Sequence, residues 1–202
     1  NTQYTYPRIC VHKRLSRDHA IRLVMPDNPM LFFDQLQGVI SGNPQREQGD
    51  IVVRRRRIGR SFSNTPTASK GMINYMLAVV IDDAQQNVNQ IVRGLDILPL
   101  TIPQMVIADY LKFPPNQHYY HLPILVNAQG QKLSKQTLAE PIHAYPAPQL
   151  IKTALQLLQQ PPIDMDKPTT MLEQAVCQWN HTPLQGKQRI EVDSLQNLLA
   201  TH

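Results

Sequence analysis

The chain has 202 residues, 42% hydrophobic and 17% charged, a balance that fits a folded globular protein and excludes a disordered one. It contains no apolar run long enough to cross a bilayer as a helix, and no charged segment leading into an apolar one that would mark secretion. Two cysteines are too few for a disulfide framework and fit a cytoplasmic protein, while a net charge of +5 and a pI near 9.3 favour a polyanionic partner without requiring one.

In chain order, residues 1–12 hold a Tyr-Pro turn and Cys10 with little periodicity. The chain opens on Asn1 with no start-like pattern, which reads as a piece of something longer. His19–Met25 and Leu31–Ile40 are expected as two strands, separated by the turn Pro26-Asp27-Asn28-Pro29. Asp50–Val53 reads as a strand running into Arg54–Arg57, and residues 58–72, rich in Ser, Thr, Gly and Lys, read as a surface loop. From Tyr75 on, Leu77, Val80, Ile81, Ala84 and Val88 share a helical face, although the β-branched content leaves a strand open. Asn89–Val92 is expected as a strand ending at Arg93-Gly94. Thr101 with Gln104 predicts a capping box, opening a helix that Phe113-Pro114-Pro115 stops. Tyr119–Val126 reads as one strand, turned by Asn127-Ala128-Gln129-Gly130. Two helices are then expected, one carrying Leu150, Ile151, Ala154, Leu155 and Leu158, the other opening on Thr170 with Glu173 as its capping box; a last helix is expected from near Asp193. Strands joined by helices, followed by a helical tail, give an α/β core with a small α-helical appendage.

Chemistry concentrates at Gly130-Gln131-Lys132-Leu133-Ser134-Lys135-Gln136. Two lysines three apart follow a strand, where α/β folds place phosphate ligands, and lysine acts as a mobile point charge. Alone, such a tetrad is more often a solvated basic turn. It resembles the Lys-Met-Ser-Lys-Ser loop of class I aminoacyl-tRNA synthetases, which stabilises ATP as the aminoacyl-adenylate forms. Tyr75-Met76-Leu77-Ala78-Val79-Val80-Ile81-Asp82-Asp83, Ile91-Val92-Arg93-Gly94, Asp96, Thr101, Gln104 and His121-Leu122-Pro123 precede it. In that order and spacing they resemble the glutamyl and glutaminyl members of the class over about residues 6–136.

The resemblance implies the C-terminal half of a Rossmann-like catalytic domain (1–136) with a helical region after it (137–202). It assigns Lys132, Ser134 and Lys135 to catalysis, with Lys135 on ATP, which carries Mg2+, and Tyr75 and Arg93 to glutamate. A guanidinium fork suits a carboxylate, and a phenol adds a hydrogen bond. Taken singly, Tyr75 reads as a core aromatic and Arg93 as a strand-end charge. Adjacent Asp82 and Asp83 diverge by about 100° on a helix, which suits structural anchoring better than chelation. Tyr6 and Cys10 resemble half of a zinc site whose Cys-x-Cys partner pair is absent here; one thiolate and one phenol cannot complete four-coordinate zinc.

Two departures stand out. The His-Ile-Gly-His-like motif of the class has no counterpart, so the first half of the nucleotide fold is expected before residue 1. Residues 56–72 look like an insertion where relatives have a tight turn, which puts the geometry near Tyr75 in question. The segment after Gln136 suffices for a few helices and no anticodon-binding domain, as in the short glutamyl-Q branch of the family. That branch implies ATP-dependent activation of glutamate and its transfer to the queuosine base of tRNA(Asp), by a monomer. A truncated glutamyl-tRNA synthetase and a non-catalytic RNA-binding module, the latter favoured by Arg54–Arg57, are the alternatives.

Overall fold

The computed structural model describes residues 6–13, 15, 19–56, 71–114, 118–134, 142 and 145–192. The chain divides into two units, one of Asn1–Phe33, Val39–Ile91 and Ile97–Tyr119, the other of Asp34–Gly38, Val92–Asp96 and Tyr120–His202. Strands β2 (Met30–Asp34), β3 (Gly38–Gly42), β5 (Gln90–Gly94) and β6 (His118–Leu122) form a four-stranded sheet in the order β3-β2-β6-β5.

In the first unit, β1 (Ile21–Leu23) pairs antiparallel with β4 (Ile51–Arg54), Arg22 opposite Val52 and Leu23 opposite Ile51. A short helix, α1 (Pro44–Glu47), precedes β4, capped by the Asn43 side chain on the Arg46 amide. Helices α2 (Tyr75–Gln85) and α3 (Thr101–Tyr110) supply Val80, Val106 and Ile107 to a core shared with Met25 and Ile51. A second cluster joins Phe32, Ile102 and Tyr119, the two rings tilted with centroids 5.1 Å apart. The open question at Tyr75 resolves to a helix. Asn74 caps it by accepting the Leu77 amide at 2.9 Å, and the apolar positions recur at helical spacing.

In the second unit, β7 (Ile124–Val126) pairs in parallel with β8 (Arg189–Glu191), and helices α4 (Ala147–Leu157) and α5 (Pro168–Gln178) pack on each other around Leu155, Met171 and Ala175. The region after Gln136 is therefore not purely helical. The strand β8, Arg-Ile-Glu between turns, is too short for a periodic signal.

Several expectations shift for local reasons. The expected strand over 31–40 is two strands, because the Asp34 carboxylate accepts the amides of Leu36 and Gln37, both at 3.0 Å, and folds the chain back through Gly38 at φ +78°. The expected strand over 119–126 breaks at Pro123, which has no amide to give a ladder. Thr101 does not cap its helix: a 3-10 turn over Leu95–Leu100 runs straight into α3, which leaves Thr101 inside and fully buried. Helix α5 begins at Pro168, so Thr170 lies in its first turn and makes no cap. The expected helix from Asp193 and the loop over 58–70 lie outside the described residues.

Candidate functional site

Tyr75 opens α2 and is exposed. The segment that delivers it is an antiparallel stem. The Arg55 amide donates to the Met72 carbonyl at 2.8 Å, the Asn74 amide to the Val53 carbonyl at 3.0 Å, and Arg54 bridges Ile73. Tyr75 keeps a regular, capped helix start directly after this stem. Gly71 enters the stem at φ +74°, and any Cβ there would collide with the Arg55 carbonyl.

Arg93 lies in β5 and is half-buried. Its Nε donates to His121 Nε2 at 3.0 Å, and His121 Nδ1 lies 2.6 Å from Asp34 Oδ2. His121 and Asp34 are completely buried. Asp34 Oδ1 accepts the amides of Leu36, Gln37 and His121, the last at 3.3 Å. Burial pushes the Asp34 carboxyl up, but the His121 ring and these three amides together outweigh it and hold the group below the usual carboxylate range. Asp34 is therefore a carboxylate, and the proton between it and His121 sits on Nδ1. Arginine Nε only donates, so Nε2 accepts, and His121 is the neutral Nδ1–H tautomer. A carboxylate ligand of Arg93 is then met by the terminal nitrogens, since Nε is engaged with His121.

After β7 the Asn127 side chain accepts the amides of Gln129 and Gln131, at 3.1 and 2.9 Å, and Gly130 takes φ +74°. The chain returns with Lys132 bridged to Val126 and the Leu133 amide donating to the Leu125 carbonyl at 2.9 Å. Lys132 is exposed and pairs with Asp96 at 2.6 Å, three residues beyond Arg93. A Cβ at Gly94 would stand 2.5 Å from Asp96 Oδ1, so glycine lets this carboxylate lie over the strand end. Ser134 is half-buried, and Lys135 lies outside the described residues. The second unit thus gathers Arg93, Asp96 and Lys132 at the end of β5.

Tyr6 and Cys10 do come together. The Cys10 amide donates to Tyr6 Oη at 3.1 Å, and both line an open pocket of about 580 Å³ with His19, Arg22 and Asp50. The hydrogen bond with the Cys10 side chain, with burial adding, raises the Tyr6 phenol above its ordinary value. The Arg22 guanidinium lies 4.2 Å from the centre of its ring. Among the described residues, no three His, Cys, Asp or Glu side chains gather into a metal cage. Tyr6 and Cys10 supply two of the four donors that zinc takes, so the described residues alone do not fit the metal.

Of the basic run, Arg54 is half-buried in β4, Arg55 and Arg56 are exposed, and Arg57 is outside the described residues. Sequence reasoning gave Asp34, Asp96 and His121 no role. The available signal was His121 itself, which shares the inward face of β6 with Tyr119 and there requires a polar partner.

Residues 9–155 match the profile of the family described as tRNA synthetases class I (E and Q), catalytic domain. The chain is 43% identical over 173 residues to the glutamyl-Q tRNA(Asp) synthetase of Acinetobacter baylyi, covering 85% of this chain and 54% of that protein. It is 36% identical over 181 residues to the protein of that name in Methylococcus capsulatus, covering 88% and 55%. It spans about half the length of the curated relatives it matches. A crystal structure of a glutamate tRNA ligase from Elizabethkingia meningosepticum in complex with its amino acid shares the fold, with a TM-score of 0.61 and 18% identity over 84% of this chain and 36% of that one. Glutamate-tRNA synthetase from Elizabethkingia anophelis does so with a TM-score of 0.62 and 17% identity, over 89% and 37%. The family profile covers most of the chain, which therefore belongs to the class I tRNA synthetases of the E and Q type, within their catalytic domain.

Proposed function

We propose that the protein carrying this chain activates glutamate with ATP and transfers it to the queuosine base of tRNA(Asp). The observation that carries the reading is the meeting of Arg93, Asp96 and Lys132 at one strand end. The Lys132–Asp96 ion pair tethers the lysine loop to the strand that bears Arg93. A carboxylate-gripping cation and a phosphate-following cation are what this condensation needs side by side. The relatives that bear the glutamyl-Q name support the choice of acceptor.

In the first step a glutamate carboxylate oxygen attacks the α-phosphorus of ATP, which enters with its Mg2+. The bond to the β-phosphate breaks, pyrophosphate leaves, and a mixed anhydride remains. Arg93 holds a carboxylate of the amino acid, and Lys132 and Lys135 meet the charge that grows on the departing phosphates. In the second step the base attacks the acyl carbon and AMP leaves.

Glutamate-dependent ATP–pyrophosphate exchange in the complete gene product tests the reading. Lys132→Ala is expected to lower turnover at least tenfold, with little change in the glutamate KM. Exchange that is indifferent to glutamate, or untouched by the substitution, contradicts it.

A further inference from the structure

The buried Asp34–His121 pair lies outside the residues assigned to substrate, yet it ends on Arg93. Two fully buried polar side chains carry a large desolvation cost, and here they meet it through a directed set of bonds. Asp34 Oδ1 is filled by three amides, and Oδ2 takes His121 Nδ1 at 2.6 Å. His121 passes its one lone pair to Arg93 Nε at 3.0 Å. Each bond dictates the next: carboxylate, then Nδ1–H tautomer, then an acceptor aimed at the guanidinium. An arginine on a strand has long, mobile torsions, and a bond at Nε constrains the plane of its fork.

We infer that Asp34 and His121 are positioning residues for substrate recognition: through the fixed tautomer of His121 they set the guanidinium plane of Arg93, and so the direction in which it meets a carboxylate. This rests on the reading that Arg93 binds glutamate.

Asp34→Asn separates the relay from plain packing. Three amides point at Oδ1, so the oxygen of the substituted carboxamide must stand there, and its NH2 faces Nδ1. The ring proton then moves to Nε2, where it opposes the Nε–H of Arg93. The volume barely changes, but the guanidinium loses its guide.

The test uses the complete gene product. Long-range proton–nitrogen NMR of the histidine rings is expected to show His121 protonated at Nδ1 in the unaltered protein and at Nε2 in Asp34→Asn. In pyrophosphate exchange, Asp34→Asn is expected to raise the glutamate KM about ten- to a hundredfold, the loss of one hydrogen bond to a charged group, with the ATP KM unchanged. His121→Gln brings an amide oxygen to the place of Nε2, while His121→Asn reaches only the place of Nδ1. The glutamine variant is therefore expected to retain more glutamate affinity than the asparagine variant. An Nε2–H tautomer in the unaltered protein overturns the proposal even if Asp34→Asn does not fold, as does equal impairment of the two His121 variants. Arg93→Ala serves as the separate control. If it leaves the glutamate KM alone, the glutamate reading fails. If it raises that KM and Asp34→Asn does not, only the relay fails.

Discussion

Arg93 is where the account is most sensitive to a single atom. Arg93→Lys keeps the charge and loses both the bidentate fork and the Nε bond to His121. The expected cost is about 2–4 kcal/mol in kcat/KM for glutamate, measured by pyrophosphate exchange; a change within error returns Arg93 to an ordinary strand-end charge. A second residue-scale prediction concerns acid. The hydrogen-bonded ion pair with Arg8, at 2.7 and 2.8 Å, lowers the Asp50 carboxyl below its usual value, and the Met25 amide adds to it. A carboxyl lower in the folded than in the unfolded state gives stability that is complete above the unfolded pKa, about 4, and lost as pH falls through the folded value. Denaturant unfolding followed through that acid range should weaken steeply in the unaltered protein and less so in Asp50→Asn. Equal slopes would leave the Arg8 pair without effect. Arg93, Tyr75 and the lysines were singled out because their residue types sit in a motif. The guide of Arg93 was not, because His121 and Asp34 are 87 positions apart and strand pairing alone brings them together.

At the scale of elements, α1 is followed by Gly49 at φ +64°, whereas three longer helices close in the left-handed region without glycine. Helices α2, α3 and α4 each close with a side-chain-bearing residue at positive φ: Asn87 at 55°, Lys112 at 58° and Gln159 at 54°. In each, two amides return to the last turn; at α3 the Lys112 amide meets the Asp109 carbonyl at 3.0 Å and the Phe113 amide the Ala108 carbonyl at 2.9 Å. Glycine is spared the strain of that conformation, so Lys112→Gly is expected to raise stability by about 1 kcal/mol in denaturant unfolding. A loss of stability would contradict the motif. The hairpin stem carries a different prediction. Arg54, Arg55 and Arg56 stand at its base, with Asp50 the nearest acidic residue in the sequence. Replacing Arg54, Arg55, Arg56 and Arg57 by Gln should flatten the dependence of log tRNA affinity on log salt and leave adenylation intact. An unchanged slope reduces the run to a solubility feature. While α3 was expected from a capping box, helical periodicity foretold α4 and left α2 open between helix and strand. It failed where a side chain overrode the pattern, as Asp34 does in bending the chain between β2 and β3. It also failed at caps, where Leu95–Leu100 feeds α3 and displaces the expected Thr101 start.

For the whole molecule, the sequence pointed to an α/β core with a helical appendage, and the structure adds β8 to that appendage through its parallel pairing with β7. Composition could not foresee this, because a three-residue strand is defined by its partner and not by its own pattern. A basic chain with cations at one strand end fits the proposed anionic substrates, ATP, tRNA and glutamate. The most direct test of the central claim is transfer of radiolabelled glutamate by the complete gene product, with ATP, to tRNA(Asp) prepared with and without queuosine. The account predicts acid-precipitable label on the queuosine-bearing tRNA alone. Equal labelling of both preparations, or labelling of tRNA(Glu) in their place, would contradict it.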